Sequence, residues 1–348
     1  MTMYKFNPTT DLRWGSFLEQ HPDASVFHTK EWLQTLQQTY GYTPIAYSTS
    51  NGDVLTNAVV FCQLESRLTG RRLVSLPFSD HCQPLASGSD LRKILVYLES
   101  NRDAERFKYI ELRPIALKTG MGEKEQPVGL SETFSFERID LSSELTVIYK
   151  KFHDSCIRRK IKRAEREGLL YETGRSEELQ EKFRYLLLLT RRRHKLPPQP
   201  PSWLRNMVNL LGDMVTIHVL SKSNMPVASI VTLQYKKSLV YKYGCSDTRF
   251  NNIGATPLLF WKIIQQAKEE NIQILDLGRS DSEDLGLIAF KEHLGAKSSE
   301  LTYYRSPVPI ERKLLSNSKA TALVRQALVH LPDTLFSGVG QFLYRHMG

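Results

Sequence analysis

From residue 214 to residue 305 the chain sets down three strand-like runs in close succession and then alternates helix and strand. The runs are 214–220, 227–235 and 238–244; a helical pattern at 257–270, a strand at 274–277, a short helix at 287–294 and a strand at 301–305 follow. Short links of this kind join antiparallel neighbours, because a parallel pair needs a crossover of about a dozen residues or more. A doubly wound parallel sheet therefore fits poorly, and an α/β (α+β) architecture with mixed, mainly antiparallel sheets is expected.

The first half carries a similar order. Residues 30–40 place Trp32, Leu33, Leu36 and Tyr40 on one helix face. Strands are expected at 44–47 and 54–64 around Ser50-Asn51-Gly52-Asp53, a hairpin signal. A strand at 71–76 ends at the turn Pro77-Phe78-Ser79-Asp80, a helix covers 91–100, and strands at 109–112 and 134–141 flank a polar, glycine-bearing loop. Further on, a basic helix at 145–167, continuous or broken, ends at Gly168. A second helix at 177–194 stops at the rigid segment Pro197-Pro198-Gln199-Pro200-Pro201, ahead of a short helix at 203–211. A chain of 348 residues exceeds one ordinary core and suits two domains of about 150 residues. Tandem domains at 1–142 and 143–305 are expected, followed by a helical tail at 306–348. The tail's Leu323, Leu328, Leu331, Leu335, Phe336 and Phe342 would either pack on the second domain or touch a membrane surface.

Composition narrows the function. Apolar residues make up 41% and charged residues 24%, which excludes disordered and low-complexity classes. No apolar run approaches the roughly 18–20 residues that cross a bilayer, and the first residues hold no signal-peptide core. A cytoplasmic place, with peripheral contact at the inner face of the membrane as an option, is the expectation. Cys62, Cys82, Cys156 and Cys245 are scattered without CxxC or metal-ligand spacing, as free thiols in a reducing compartment would be. Neither GxSxG, HExxH, a Walker loop nor GxGxxG occurs, so hydrolase, NTPase and dinucleotide readings recede. The net charge of +10 is concentrated: residues 150–205 hold sixteen basic and seven acidic side chains. A local basic face suits an anionic partner such as tRNA, a nucleotide sugar, coenzyme A or an acidic lipid.

The segment YKYGCSDTRFNNIGATPLLFWKIIQQAKEENIQILDLGR, at 241–279, runs strand, Asn/Gly turn, helix and strand. Such a turn aims the free N–H groups of a helix N-terminus at one point, a ready place for a phosphate or carboxylate. Arg249-Phe250-Asn251-Asn252-Ile253-Gly254 resembles the pyrophosphate loop R/Q-x-x-G-x-G/A of the GNAT acyltransferases, with Asn252 where the first glycine is usual. Asparagine tolerates the left-handed conformation better than most residues. Over the wider chain, VFHTKEWLQTLQQTYGYTP, LPFSDHCQPL, RRKIKRAEREGL, the 241–279 block and GLIAFKEHLGA resemble stretches of the FemABX family, in family order from residue 26 to about 305. Proteins of that family pair two GNAT-like domains and pass amino acids from aminoacyl-tRNA to a peptidoglycan precursor.

The resemblance implies roles for particular residues. Arg158, Arg159, Lys160, Lys162 and Arg163 match the family's basic helix, along which an anionic substrate or tRNA would pass. Arg193 matches a phosphate-holding position, and Lys291 a lysine near the transfer site. Arg249, Asn252, Gly254 and Ala255, with Arg193, would seat the donor. Leu36 stands where a lysine would help grip nucleotide-sugar phosphates, and the coiled-coil arm of some members is missing. Both departures point away from a UDP-muramyl-peptide and toward other envelope or exopolysaccharide acceptors.

Acyl transfer to an amine needs a neutral amine, positioning and stabilisation of a tetrahedral oxyanion. Lys291 is the candidate for oxyanion or phosphate stabilisation, and Asp276, with Asp247, for proton relay or for orienting Arg279. Asp80 and His81 would line the acceptor cleft. Structural duties compete for the same residues: an Asp276–Arg279 pair, a solvated Lys291, a turn-forming Asp80. Cys245 has no histidine near it in sequence to make it a nucleophile. The expected activity is N-acyl or aminoacyl transfer from acyl-CoA or aminoacyl-tRNA to an amine of a cell-envelope or polysaccharide precursor, by a monomer with no metal and no tightly bound cofactor. The alternative is a non-catalytic binding protein of envelope or exopolysaccharide assembly that docks through the basic helix and the tail.

Overall fold

A computed structural model describes residues 3–50, 52–122, 126–308 and 331–347. Asn51 of the hairpin turn and Leu323 and Leu328 of the tail lie outside the described residues. The strands are β1 (Tyr4–Phe6), β2 (Thr43–Ser48), β3 (Val59–Ser66), β4 (Gly70–Ser75), β5 (Tyr109–Leu112), β6 (Gly129–Asp140), β7 (Leu170–Gly174), β8 (Val215–Lys222), β9 (Met225–Tyr235), β10 (Ser238–Ser246), β11 (Ile274–Asp281) and β12 (Lys297–Ser306). They form one sheet in the order β1-β2-β3-β4-β5-β12-β6-β11-β10-β9-β8-β7. Only β4 with β5 and β10 with β11 run parallel, which is the mixed, mainly antiparallel architecture expected from the short links.

The β8–β9 link turns on Ser223 and Asn224, both with positive φ (48° and 64°). That pair matches the right-handed twist of a two-residue hairpin. Val227 through Leu233 of β9 are buried without alternation, because helices cover both faces of the sheet there. On one face α6 (Glu177–Arg193) and α7 (Pro201–Leu211) pack with Val231 and Leu233; on the other, α5 (Arg159–Arg166) and α8 (Ala255–Glu269) pack with Val227 and Ile230.

In the first half, α3 (Gly88–Asn101) covers Tyr47, Phe61 and Leu73, while α1 (Arg13–Gln20) and α2 (Lys30–Tyr40) cover Ala46, Val60 and Val74. The α2 and α7 cores are continuous, and the Trp32 and Trp203 rings meet edge to face at 5.4 Å. Thr29 caps α2 by accepting the Trp32 N–H, and Gly41 ends it in the left-handed conformation.

Strand β6 lies between β11 and β12, and β12 lies between β5 and β6. A strand from the end of the second half is thus built into the middle of the sheet.

The basic helix is broken. A helix α4 (Leu145–Lys151) ends at buried Phe152, a π turn covers Asp154–Arg158, and α5 starts at Arg159. The His153 ring accepts the Cys156 N–H at 3.3 Å and so caps the new turn. After β11 comes α9 (Leu285–His293), and the tail ends in α10 (Asp333–Met347). Helix α10 packs on the body: Phe336 is buried, Tyr42 donates to the Tyr344 carbonyl at 2.7 Å, and Arg72 donates to the His346 carbonyl at 2.9 Å. No helix among the described residues is long and apolar enough to cross a membrane.

Candidate active site

Strands β10 and β11 pair at Ser238–Ile274, Leu239–Leu275 and Val240–Asp276, and then separate. Each carries an irregularity just past that point, between Tyr241 and Tyr243 on β10 and between Asp276 and Arg279 on β11. Bulges bend the strands that carry them, so the two part as a V. A cavity of about 350 Å³ borders the end of β10 and the start of α8, with Lys160, Ser246, Asp247, Asn251, Gly254 and Phe290 in its wall.

Gly254 has φ 80°, and a Cβ on it would lie 2.4 Å from the Lys160 carbonyl oxygen. Only glycine lets α8 begin this close to α5. Ala255 and Thr256 open α8, where N–H groups have no intrahelical acceptor.

The donor residues expected from sequence divide here. Gly254 and Ala255 stand in the cavity wall. Asn252 is exposed outside it, has no positive φ, and leaves the wall to its neighbour Asn251. The Arg249 guanidinium is bound by the Asp247 carboxylate at 2.6–3.1 Å and by the Tyr185 hydroxyl at 3.2 Å, so it braces the turn. Arg249 in turn holds the Asp247 carboxyl below its ordinary range. Arg193 donates to the Ser246 carbonyl at 3.4 Å, beside the cavity.

On the broken helix, Ile161 and Ala164 face the core, and Arg159, Lys160, Lys162 and Arg163 are exposed. Arg158 and Arg159 both bridge to Asp154, at 3.2 and 3.0 Å, and Arg163 reaches Glu167 at 3.8 Å.

At the base of the V, residues of the two halves of the chain bond directly. His81 donates from Nε2 to Asp276 Oδ2 at 2.7 Å, and Asp276 Oδ1 accepts the Gly278 N–H at 2.7 Å. Sequence grounds give His81 and Asp276 separate jobs; the fold joins them in one buried pair. Asp80 presents its carboxylate to Gly278, whose φ is 69° and whose missing Cβ would lie 2.2 Å from Asp80 Oδ2.

The 76–81 turn is held from several sides. Tyr303 donates to the Asp80 carbonyl, Trp32 Nε1 to Ser79 Oγ at 3.1 Å, and Arg113 to the Leu76 carbonyl at 2.9 Å. Lys242, within the β10 irregularity, donates to the Phe78 carbonyl. Its ammonium lies 5.8, 5.4 and 5.3 Å from the ring centres of Phe27, Trp32 and Tyr243. Burial lowers its pKa, the Asp80 charge raises it, and Arg279, Arg113 and Arg191 press it down again. Sequence reading missed Lys242, Arg113 and Tyr303, because only the long-range packing brings them beside Asp80.

Lys291 differs from the expectation of a lysine open to a substrate oxyanion. Its Nζ is buried and bonded to Glu137 Oε2 at 2.8 Å, Ser280 Oγ at 2.8 Å, and the carbonyls of Gly278 at 3.1 Å and Arg279 at 3.3 Å. Gly278 lies within the β11 irregularity, out of register with β6, and Lys291 donates to its carbonyl. Arg279 does not pair with Asp276; its guanidinium stacks on Phe134 at 3.9 Å. Leu36 is wholly buried in the α2 core, so this helix position offers nothing to a nucleotide phosphate. A larger cavity, about 490 Å³, lies between α6, α7 and α10; Tyr243, next to Lys242, is part of its wall.

Residues 152–292 match the family described as Acetyltransferase (GNAT) domain. The whole fold is similar to that in the crystal structure of FemX, with a TM-score of 0.67 at 14% identity, covering 88% of this chain and 97% of that one. It is also similar to a tandem GNAT protein from the clavulanic acid biosynthesis pathway, with a TM-score of 0.56 at 9% identity over 89% of this chain and 99% of that one. A conserved protein of unknown function from Bacteroides thetaiotaomicron gives a TM-score of 0.53 at 14% identity, covering 79% of this chain and 88% of that one. No curated protein matches the sequence. Fold and matched domain define the class: residues 152–292 form a GNAT acetyltransferase domain, set within a fold like that of FemX and of the tandem GNAT protein.

Proposed function

We propose that the protein moves an acyl or aminoacyl group from an anionic carrier, acyl-CoA or aminoacyl-tRNA, to an amine of a cell-envelope or polysaccharide precursor. Residues 143–305 would supply the donor side and residues 1–142 the acceptor side. The observation that carries this reading is the V between β10 and β11, which opens beside a cavity at the α8 N-terminus. In it the carrier's phosphate meets the leading N–H groups of α8 and the exposed charges of α5, while the reacting carbonyl points toward Lys242 and Asp80.

The amine nitrogen attacks the carbonyl carbon, and the tetrahedral oxyanion collapses to an amide as the carrier leaves as a thiol or a ribose hydroxyl. The amine's proton passes to the carboxylate of Asp80 or to the His81–Asp276 pair. Lys242 donates to the oxyanion, since its ammonium has one protein acceptor and two further protons. Lys291, fully engaged by Glu137, Ser280 and two carbonyls, holds β11 in place and takes no part in the transfer.

Labelled acetyl-CoA and labelled aminoacyl-tRNA, incubated separately with the protein and an envelope extract, test the proposal. Label reaching an amine from one donor supports it, and a tRNA donor would also show binding that weakens steeply with salt. Label transfer from neither, with both donors intact at the end, would overturn it.

A further inference from the structure

His153, Cys156 and His293 meet where the break between α4 and α5 abuts the end of α9, and their ligand atoms all lie within 4.8 Å of one another. They come from two segments distant in sequence. His153 and Cys156 belong to the break, and His293 is the last residue of α9. The His153 N–H donates to the His293 carbonyl at 2.8 Å, and the two imidazoles are 4.4 Å apart, centre to centre. From this geometry we propose that the three side chains form a binding site for a borderline-soft divalent cation, Zn²⁺, independent of the acyl-transfer site.

The donor set selects the metal. Two imidazoles and a thiolate are ligands for zinc and related transition metals and are poor ones for magnesium or calcium. Zinc takes nitrogen at about 2.0–2.1 Å and sulfur at about 2.3 Å, so ligand atoms in a tetrahedral site stand roughly 3.3–3.7 Å apart. Contraction by about 1 Å therefore completes the site, within reach of an exposed turn. His153 is exposed, and Cys156 and His293 are half-buried, which leaves an entry path and a fourth position for water.

Asp154, the nearest carboxylate in sequence, is tied to Arg158 and Arg159. Cys156 is the accessible thiol of the chain; Cys62, Cys82 and Cys245 are buried, and burial raises their pKa values. On binding, the Cys156 S–H proton goes to solvent, one Zn–S bond forms, and each neutral imidazole gives a nitrogen lone pair. The ion would fasten the start of the basic helix to the end of α9, two elements that supply Lys160 and Phe290 to the cavity wall.

The test uses the full, tag-free chain titrated with Co²⁺ and then Zn²⁺. Expected are a thiolate-to-cobalt charge-transfer band that saturates at one equivalent, its bleaching by Zn²⁺, and a rise in melting temperature with one equivalent of Zn²⁺. Cys156→Ser should abolish the band with an unchanged circular-dichroism spectrum, and His293→Ala should weaken binding by at least ~10-fold. Cys245→Ser should keep the band. Absence of the band in the wild-type chain, its persistence in Cys156→Ser, or its loss in Cys245→Ser would each overturn the proposal. Should Cys156→Ser fold poorly, wild-type melting curves with Zn²⁺ and with chelator decide instead: a higher melting temperature with Zn²⁺ supports the site, and identical curves overturn it.

Discussion

Lys291 and Lys242 approach the same junction and live in opposite surroundings. Lys291 is sealed against Glu137 and bonded to Ser280 and two strand carbonyls. Lys242 is half-buried among aromatic rings, with one carbonyl acceptor and the Asp80 charge nearby. A cation whose protons are all engaged maintains a shape, whereas one with protons to spare can meet a charge that develops during a reaction. On the proposed mechanism, the contrast gives stability to the first lysine and turnover to the second.

The most forceful way to break that assignment is Lys291→Met. It leaves Glu137 buried without its cation and should cost about 3–5 kcal/mol in equilibrium denaturation. Adding Glu137→Gln should recover part of the loss, and the activity of the molecules that remain folded should stay close to wild type. Lys242→Met should instead lower transfer by about 100-fold, equivalent to ~2.7 kcal/mol, while unfolding shifts by less than about 1 kcal/mol. Equal losses of turnover in the two variants would erase the distinction.

Gly254→Ala tests the donor side. A left-handed φ costs a residue with Cβ about 1–2 kcal/mol, and the Cβ also meets the Lys160 carbonyl. The KM for the donor should rise ~10-fold or more, with little change for the acceptor.

Acid compares the two halves of the chain. Burial pushes His28 down to about 4 and His218 down to about 3. Both are therefore neutral in the folded protein, while the unfolded chain gains protons below about pH 6.5. Stability is complete above that pH and falls as pH drops toward 4, by about 1.4 kcal/mol per pH unit for each histidine. Urea denaturation between pH 4.5 and 7.5 should show this slope, and His28→Gln or His218→Gln should each remove about half of it.

What could be read from the sequence was local. The β8–β9–β10 order, the helix after the Asn/Gly turn, the apolar face of α2 and the extent of α6 are written in nearby turn residues and apolar spacing, and the structure has them within a few residues. Short β1 and β7 escape such reading, because three or five mostly polar-flanked residues at a sheet edge carry little periodicity. The parting of β10 from β11 depends on irregularities that only pairing reveals. The His81–Asp276 bond joins residues 195 positions apart. Lys291 sits in AFKEHLG, a pattern that reads as a solvated helix face until Glu137 is folded beneath it. Asn252 and Asn251 are adjacent, and motif spacing alone cannot say which of them lines the cavity.

The placement of β12 between β5 and β6 has a consequence for how the molecule is made. A ribosome must deliver residue 306 before that gap in the sheet can be filled, so until then the nascent chain carries two unsatisfied strand edges. Chaperone capture during translation, and failure of any version cut short before residue 297, follow from the position of one late strand.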